Sequence, residues 1–250
     1  MSKLIIANWK MNPQSLKEAE VVFKGILNIA KKNKKFDFVV CPPFPFIPII
    51  KSIKIKNFSI GAQNFFEELE GSYTGEVSLK MLTSLNAKYA IVGHSERRKF
   101  GETDEEINKK ILMALKMKVT PILCVGESTR DSNGDYFSSI KDQLRKGLLS
   151  VTPSQLKSIV IAYEPLWAIG KDSIRPASKE EFIEAKIFIK KTIFDIFGAK
   201  ASNSMKIIYG GSVNAENANE FAVLADSDGL LIGRDSLSVA KFGAIINAIK

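Results

Sequence analysis

The sequence predicts an α/β protein, a single closed (β/α)8 barrel domain over residues 1–250. Three observations predict it. Eight short apolar runs rich in β-branched residues recur along the chain. Each is too short for a helix and suits a strand buried on both faces. Stretches with helical period lie between most of them, a strand–helix repeat of about 30 residues. No low-complexity linker divides the 250 residues, a length close to the roughly 250 typical of such a barrel. An open doubly wound sheet is the alternative, but Gly-x-Gly-x-x-Gly is absent after the first run.

The elements follow in order. Leu4–Trp9 reads as the first strand, and Asn12-Pro13 offers a helix N-cap with proline in the first turn. Leu16, Ala19, Val22, Phe23, Ile26, Leu27 and Ala30 line one face of the helix that follows. Its end carries Lys31, Lys32, Lys34 and Lys35, where the helix dipole favours cations. Phe38–Cys41, Phe58–Ala62 and Tyr89–Val92 supply strands two to four. Thr103 and Glu106 have capping-box spacing, in which the hydroxyl takes the third amide and the acid returns the bond. They open a helix with Ile107, Ile111, Ala114 and Leu115 on one face, and Val119–Val125 is strand five. Thr152 and Gln155 repeat the spacing ahead of strand six, Ile159–Tyr163. Ser178 and Glu181 repeat it ahead of a helix lined by Phe182, Ile183, Ala185, Lys186, Ile187, Ile189, Ile193 and Phe197. Met205–Tyr209 and Gly229–Ile232 complete the eight strands.

Composition narrows the chemistry. The two cysteines, Cys41 and Cys124, cannot form a disulfide framework and read as free thiols of a reducing compartment. A single histidine and no Cys-x-x-Cys exclude two-histidine metal sites, structural zinc and iron–sulfur clusters. The N-terminal apolar run is too short for a signal peptide, and nothing approaches the roughly 20 apolar residues of a membrane span. A soluble, cytoplasmic protein with no membrane partner is expected. The net charge of +9 raises nucleic acid as a partner. The lysines are scattered, however, and their one cluster lacks the interleaved aromatics of a stacking surface. No nucleic-acid role is expected. A basic surface does raise the local concentration of a small phosphorylated anion.

Barrel enzymes build their sites at the C-terminal ends of the strands. Read there, the sequence offers Asn8-Trp9-Lys10 after strand one and Gly93-His94-Ser95-Glu96 after strand four. Glu164 follows strand six, with Pro165 and a glycine-containing loop behind it. Tyr209-Gly210-Gly211-Ser212 ends strand seven, and Ile232-Gly233-Arg234 ends strand eight. Glycine-rich turns that open onto helices let backbone N–H groups close on a phosphate, and loops seven and eight are where barrels place one. A carboxylate, an imidazole, a lysine and a phosphate cradle suit proton transfer beside a carbonyl. Glu164 would remove a carbon-bound proton, while His94 and Lys10, with Asn8, stabilise the enediolate oxygen. Such an intermediate eliminates phosphate readily, so the site should exclude water, with Pro165–Ala177 as the lid.

These residues carry a resemblance. Asn8-Trp9-Lys10-Met11-Asn12, Gly93-His94-Ser95-Glu96-Arg97-Arg98 and Ala162-Tyr163-Glu164-Pro165-Leu166-Trp167-Ala168-Ile169-Gly170 resemble the triosephosphate isomerase family, which shares the TIM-barrel fold. Gly61-Ala62-Gln63-Asn64, Tyr73-Thr74-Gly75-Glu76, Pro121-Ile122-Leu123-Cys124-Val125-Gly126-Glu127 and Tyr209-Gly210-Gly211-Ser212-Val213 extend the likeness over essentially the whole chain. The resemblance implies interconversion of dihydroxyacetone phosphate and glyceraldehyde 3-phosphate, with no cofactor and no metal. It implies Glu164 as base, His94 as neutral electrophile, Lys10 and Asn8 as contacts to the substrate, and Glu96 in support. This family is itself a worked example of such pKa tuning. Backbone N–H groups of Gly170, Ser212, Gly233 and Arg234 would hold the phosphate. A homodimer is implied, with the Thr74 loop entering the partner's site.

Two departures from the family pattern stand out. The lid runs Gly170-Lys171-Asp172-Ser173-Ile174-Arg175-Pro176-Ala177, two residues longer than usual and with a proline in its second hinge. Arg234 replaces the second glycine of a Gly-Gly pair, and is expected to keep φ < 0 with its side chain out of the cradle. These departures leave two alternatives open: a barrel enzyme acting on another phosphorylated sugar, or a catalytically silent barrel that binds a phosphate ligand.

Overall fold

A computed structural model describes residues 2–49, 55–131, 133–170 and 175–250. Eight parallel strands close into a barrel in sequence order: β1 (Lys3–Asn8), β2 (Phe36–Cys41), β3 (Phe58–Ala62), β4 (Ala87–Val92), β5 (Thr120–Val125), β6 (Val160–Tyr163), β7 (Lys206–Tyr209) and β8 (Gly229–Ile232). Every apolar run read from the sequence is a strand, with ends shifted by no more than a residue or two. By contact density the chain divides into two compact units. One combines Met1–Ala90 with Val213–Lys250, and the other is Ile91–Ser212.

In the first unit β1 pairs with β2 on one side and with β8 on the other. Gly229 permits the second pairing, since a Cβ there would sit 1.9 Å from the Leu4 carbonyl oxygen. Helix α1 (Leu16–Lys32) buries Ala19, Val22, Phe23, Ile26 and Ala30, and the larger of these side chains contribute about 1.5–3 kcal/mol each. Its Phe23 ring meets Phe58 of β3 edge-on, centroids 5.7 Å apart. The N-cap of α1 is Ser15, whose hydroxyl accepts from Glu18 N, and not the expected Asn12, which forms a cis peptide with Pro13. Ser15 has the hydroxyl-then-carboxylate spacing that a cap favours, whereas proline at position 13 leaves Asn12 too far ahead of the helical face. Beyond β2 runs a 3₁₀ turn, Phe44–Ile49, and between β3 and β4 lies only the six-residue α2 (Leu79–Ser84). A π-helical turn, Glu220–Leu224, precedes β8, and α8 (Val239–Ala248) ends the chain.

In the second unit β5, β6 and β7 pair in straight register. They are followed or preceded by α3 (Ser95–Lys99), α4 (Asp104–Lys116), α5 (Tyr136–Gly147), α6 (Lys179–Phe197) and α7 (Ala199–Ser204). The capping boxes at Thr103 and Ser178 both form. At Thr152 the backbone N–H does bond Gln155 Oε1, 2.9 Å away, but the turn leads only into a 3₁₀ segment, Leu156–Ser158. Strand β6 begins two residues later, so there is no room for a helix. Among the described residues no helix is long and apolar enough to cross a membrane.

Candidate active site

In the second unit, the end of β4 sets the histidine. Gly93 takes φ +69°, and a Cβ there would press Ile107 at 2.9 Å, so the turn requires glycine. Its N–H donates to Glu102 Oε2 at 3.1 Å, and Glu102 is ion-paired with Lys110 inside the protein. Arg98 holds the same turn from the other side, its Nε donating to Gly93 O at 2.9 Å while it pairs with Asp104 at 2.6 Å.

His94 thereby becomes the N-cap of α3, with Nδ1 accepting the Glu96 N–H at 3.1 Å. A nitrogen that accepts a hydrogen bond carries no proton, so this network assigns a neutral ring with its proton on Nε2. Nε2 lies 3.2 Å from Glu164 Oε1. Glu96 supports the ring through its backbone; its carboxylate stands 3.9 Å from Nδ1, beyond hydrogen-bond length.

Glu164 is 2% exposed. Its Oε2 accepts the Ser95 N–H at 3.0 Å, so each carboxylate oxygen has a donor. The Cys124 thiol also donates toward it; burial first, then the charge and hydrogen bond of Glu164, push that thiol well up. The backbone at Glu164 is set by its own N–H to Val125 O, 2.8 Å. Gly126 makes the approach possible, since a Cβ would meet the Glu164 carbonyl oxygen at 1.8 Å.

The segment behind Glu164 is pinned to one residue, Glu127. Leu166 N donates to its carbonyl at 3.0 Å. Tyr163 Oη and Trp167 Nε1 both donate to its Oε1 at 2.8 Å. Burial pushes the Glu127 carboxyl up, and the bonds from Trp167 and Tyr163 pull it back. Burial likewise raises the Tyr163 hydroxyl, which keeps it a donor. Further along, Gly170 has φ +95°, and Ser212 Oγ donates to Ala168 O at 3.1 Å. Of the expected lid, residues 171–174 lie outside the described residues.

The first unit holds the other expected contacts. Asn8 is 5% exposed and its Oδ1 accepts the Lys10 N–H at 3.0 Å. Lys10 has φ +54°, and its carbonyl accepts from Gln63 Nε2 at 2.9 Å. The same amide donates to Cys41 O at 2.8 Å, which joins β1, β2 and β3 behind the lysine. The Lys10 chain then passes over Gly233, where a Cβ would stand 3.5 Å from its Cε. Arg234 opens a 3₁₀ turn, Arg234–Leu237. Its backbone lies outside the left-handed region and the residue is exposed.

Glu102, Lys110, Arg98, Glu127 and Gln63 were not singled out as site residues from sequence. Each acts through another residue; Arg98, Glu102 and Lys110 lie within or between helices, where position carries no signal, whereas Gln63 and Glu127 follow β3 and β5. Gln63 and Glu127 do lie in the family-like segments Gly61–Asn64 and Pro121–Glu127.

The sequence model of the family described as Triosephosphate isomerase matches residues 3–249. Among similar proteins, Triosephosphate isomerase of Carboxydothermus hydrogenoformans is 41% identical over 245 residues, 97% of this chain and 96% of that protein. Triosephosphate isomerase of Clostridium tetani is 41% identical over 251 residues, covering 99% and 97%. The protein of the same name from Dictyoglomus turgidum is 39% identical over 249 residues, covering 98% and 99%.

Proposed function

This chain belongs to the triosephosphate isomerase family, and from that premise we propose that it interconverts dihydroxyacetone phosphate and D-glyceraldehyde 3-phosphate with Glu164 as the base. The observation that carries the reading is the contact of His94 Nε2 with Glu164 Oε1 at 3.2 Å, between a buried carboxylate and a neutral imidazole.

The steps follow from those two groups. Glu164 releases the Ser95 N–H and takes a proton from the carbon beside the carbonyl. The bonding pair moves onto the carbonyl oxygen, giving an enediolate. His94 donates Nε2–H to that oxygen and relays a proton between the two oxygens. Glu164 then returns its proton to the neighbouring carbon. Lys10 places an ammonium, and Asn8 an amide, against the developing negative charge. The backbone N–H groups of Gly170, Ser212, Gly233 and Arg234 take the phosphate, and Glu96 supports His94.

The reading extends to assembly and place. The chain acts as one barrel domain in the cytoplasm, as a homodimer in which the loop bearing Thr74 reaches the partner's site. Support comes from the exposure of apolar side chains near that loop and after β1: Met11 is 84% exposed, Tyr73 46% and Met81 56%. Large apolar side chains left in water suit a protein surface awaiting a partner.

A coupled assay with glyceraldehyde 3-phosphate tests the reading, with Glu164→Gln and unphosphorylated glyceraldehyde as controls. Turnover by the native chain is expected, with kcat lower by about 10²–10⁴-fold in the variant and little activity without the phosphate. A folded protein that is inactive on this substrate would send the search to other sugar phosphates.

A further inference from the structure

A second set of contacts bears on the segment behind Glu164, from residues given no role above. The Arg175 guanidinium lies 4.7 Å from the centroid of the Trp167 ring. It is held there by two bonds to Glu181, Nη1 to Oε2 at 2.9 Å and Nη2 to Oε1 at 2.6 Å. Glu181 is itself fixed, because its Oε2 accepts the Ser178 N–H at 2.8 Å in the capping box of α6. Arg130 approaches from the same neighbourhood, 6.0 Å from the Trp167 centroid and 3.8 Å from Glu181 Oε1. A continuous path therefore runs from the first turn of α6 through Glu181 and Arg175 to Trp167. From Trp167 it passes to Glu127, which also holds Tyr163 and Leu166 on either side of Glu164.

We propose that Arg175 is a positioning residue for the isomerisation: it holds the Trp167 ring on Glu127 and so fixes the segment that carries Glu164. The inference rests on the reading of Glu164 as the base. A planar guanidinium is needed for it, since the fork grips both oxygens of Glu181 while its face covers the indole; an ammonium cannot do both. The Arg175 side chain is 53% exposed, so its ion pair contributes little to global stability. Its effect on turnover is thereby separable from folding.

The test compares Arg175→Met, Arg175→Lys and Glu181→Gln with the native chain, by steady-state kinetics, thermal melting and acrylamide quenching of tryptophan fluorescence without substrate. Glu181→Gln keeps an acceptor for the Ser178 N–H and loses the charge that grips Arg175. Of the two tryptophans Trp9 is 1% exposed, so a change in quenching reports Trp167. Arg175→Met and Glu181→Gln are expected to lower kcat about three- to tenfold, with KM within about twofold. Quenching should rise in both, Arg175→Lys should resemble Arg175→Met, and melting midpoints should stay within about 2 °C. Native kcat or native quenching in Arg175→Met overturns the inference, as does full recovery by lysine. If the native chain itself lacks isomerase activity, the functional reading fails and this inference with it. An active native chain with unaffected variants sinks the inference alone.

Discussion

Lys10 holds a backbone angle, φ +54°, that costs a non-glycine residue about 1–3 kcal/mol. Something must over-determine it, and the structure supplies two partners: Asn8 Oδ1 takes the Lys10 N–H and Gln63 Nε2 gives to the Lys10 carbonyl. Asn8 is thus a brace for the lysine as well as an expected substrate contact. Gln63→Met keeps the volume but removes the donor for both Lys10 O and Cys41 O. Stability should fall by about 1–3 kcal/mol for the acceptors left without that donor. The kcat/KM should fall by about 10- to 100-fold as the ammonium loses its aim. Kinetics and a denaturant titration check this, and a destabilised variant with native kcat/KM would show that Asn8 alone suffices. The residues with chemistry in their side chains were legible because each ends an apolar run. The angle at Lys10 was not, because its other support, Gln63, stands in another strand connection.

At the scale of elements, α4 shows where sequence patterning runs short. Ile107, Ile111 and Ala114 mark its buried face, and Lys110 lies among them by position, yet a lysine reads as solvated. It is nevertheless 5% exposed and paired with Glu102. That pair does more than fill the core, because Glu102 also takes the Gly93 N–H ahead of His94. Lys110→Met should therefore destabilise by about 3–5 kcal/mol, the cost of leaving a buried carboxylate without its counter-charge. Urea unfolding measures it, and a loss under about 1 kcal/mol would contradict this role for the pair. The strands and two capping boxes were readable because β-branched runs and hydroxyl–carboxylate spacing act locally. The Asn12 cap and a helix after Thr152 failed because the chain around them decided otherwise. The first turn of α6 gives a pH prediction. Hydrogen bonding to Arg175, above all, pulls the Glu181 carboxyl down from 4.5 to about 2. A lowered folded-state pKa stabilises above the unfolded value and is lost as pH falls through the folded one. The native chain should thus lose a small share of its stability between pH 4.5 and about 2 that Glu181→Gln has already lost, small because Arg175 is half exposed to solvent, and equal acid sensitivity of the two would contradict the assignment.

For the whole molecule the open question is cooperativity. The first compact unit is assembled from both ends of the chain, Met1–Ala90 and Val213–Lys250, and the second is the stretch between them. Strands nevertheless follow one another around the barrel in unbroken sequence order, and the family match runs through both units from residue 3 to 249. A chain whose first unit depends on its two termini meeting has no simple route to melt one unit and keep the other. β1 pairs with β8 across 225 positions of chain, Leu4 standing against Gly229, so this pairing exists only while the termini are held together. Calorimetry should accordingly show one unfolding transition, with its van't Hoff and calorimetric enthalpies in agreement once association is allowed for. In the dimer reading its midpoint should rise with protein concentration, because the partner binds the folded chain alone. Two resolved transitions would mark Ile91–Ser212 as an independent folding unit and overturn the single-domain reading. A single transition with a concentration-independent midpoint would keep the one domain and remove the partner, leaving Met11, Tyr73 and Met81 exposed to water.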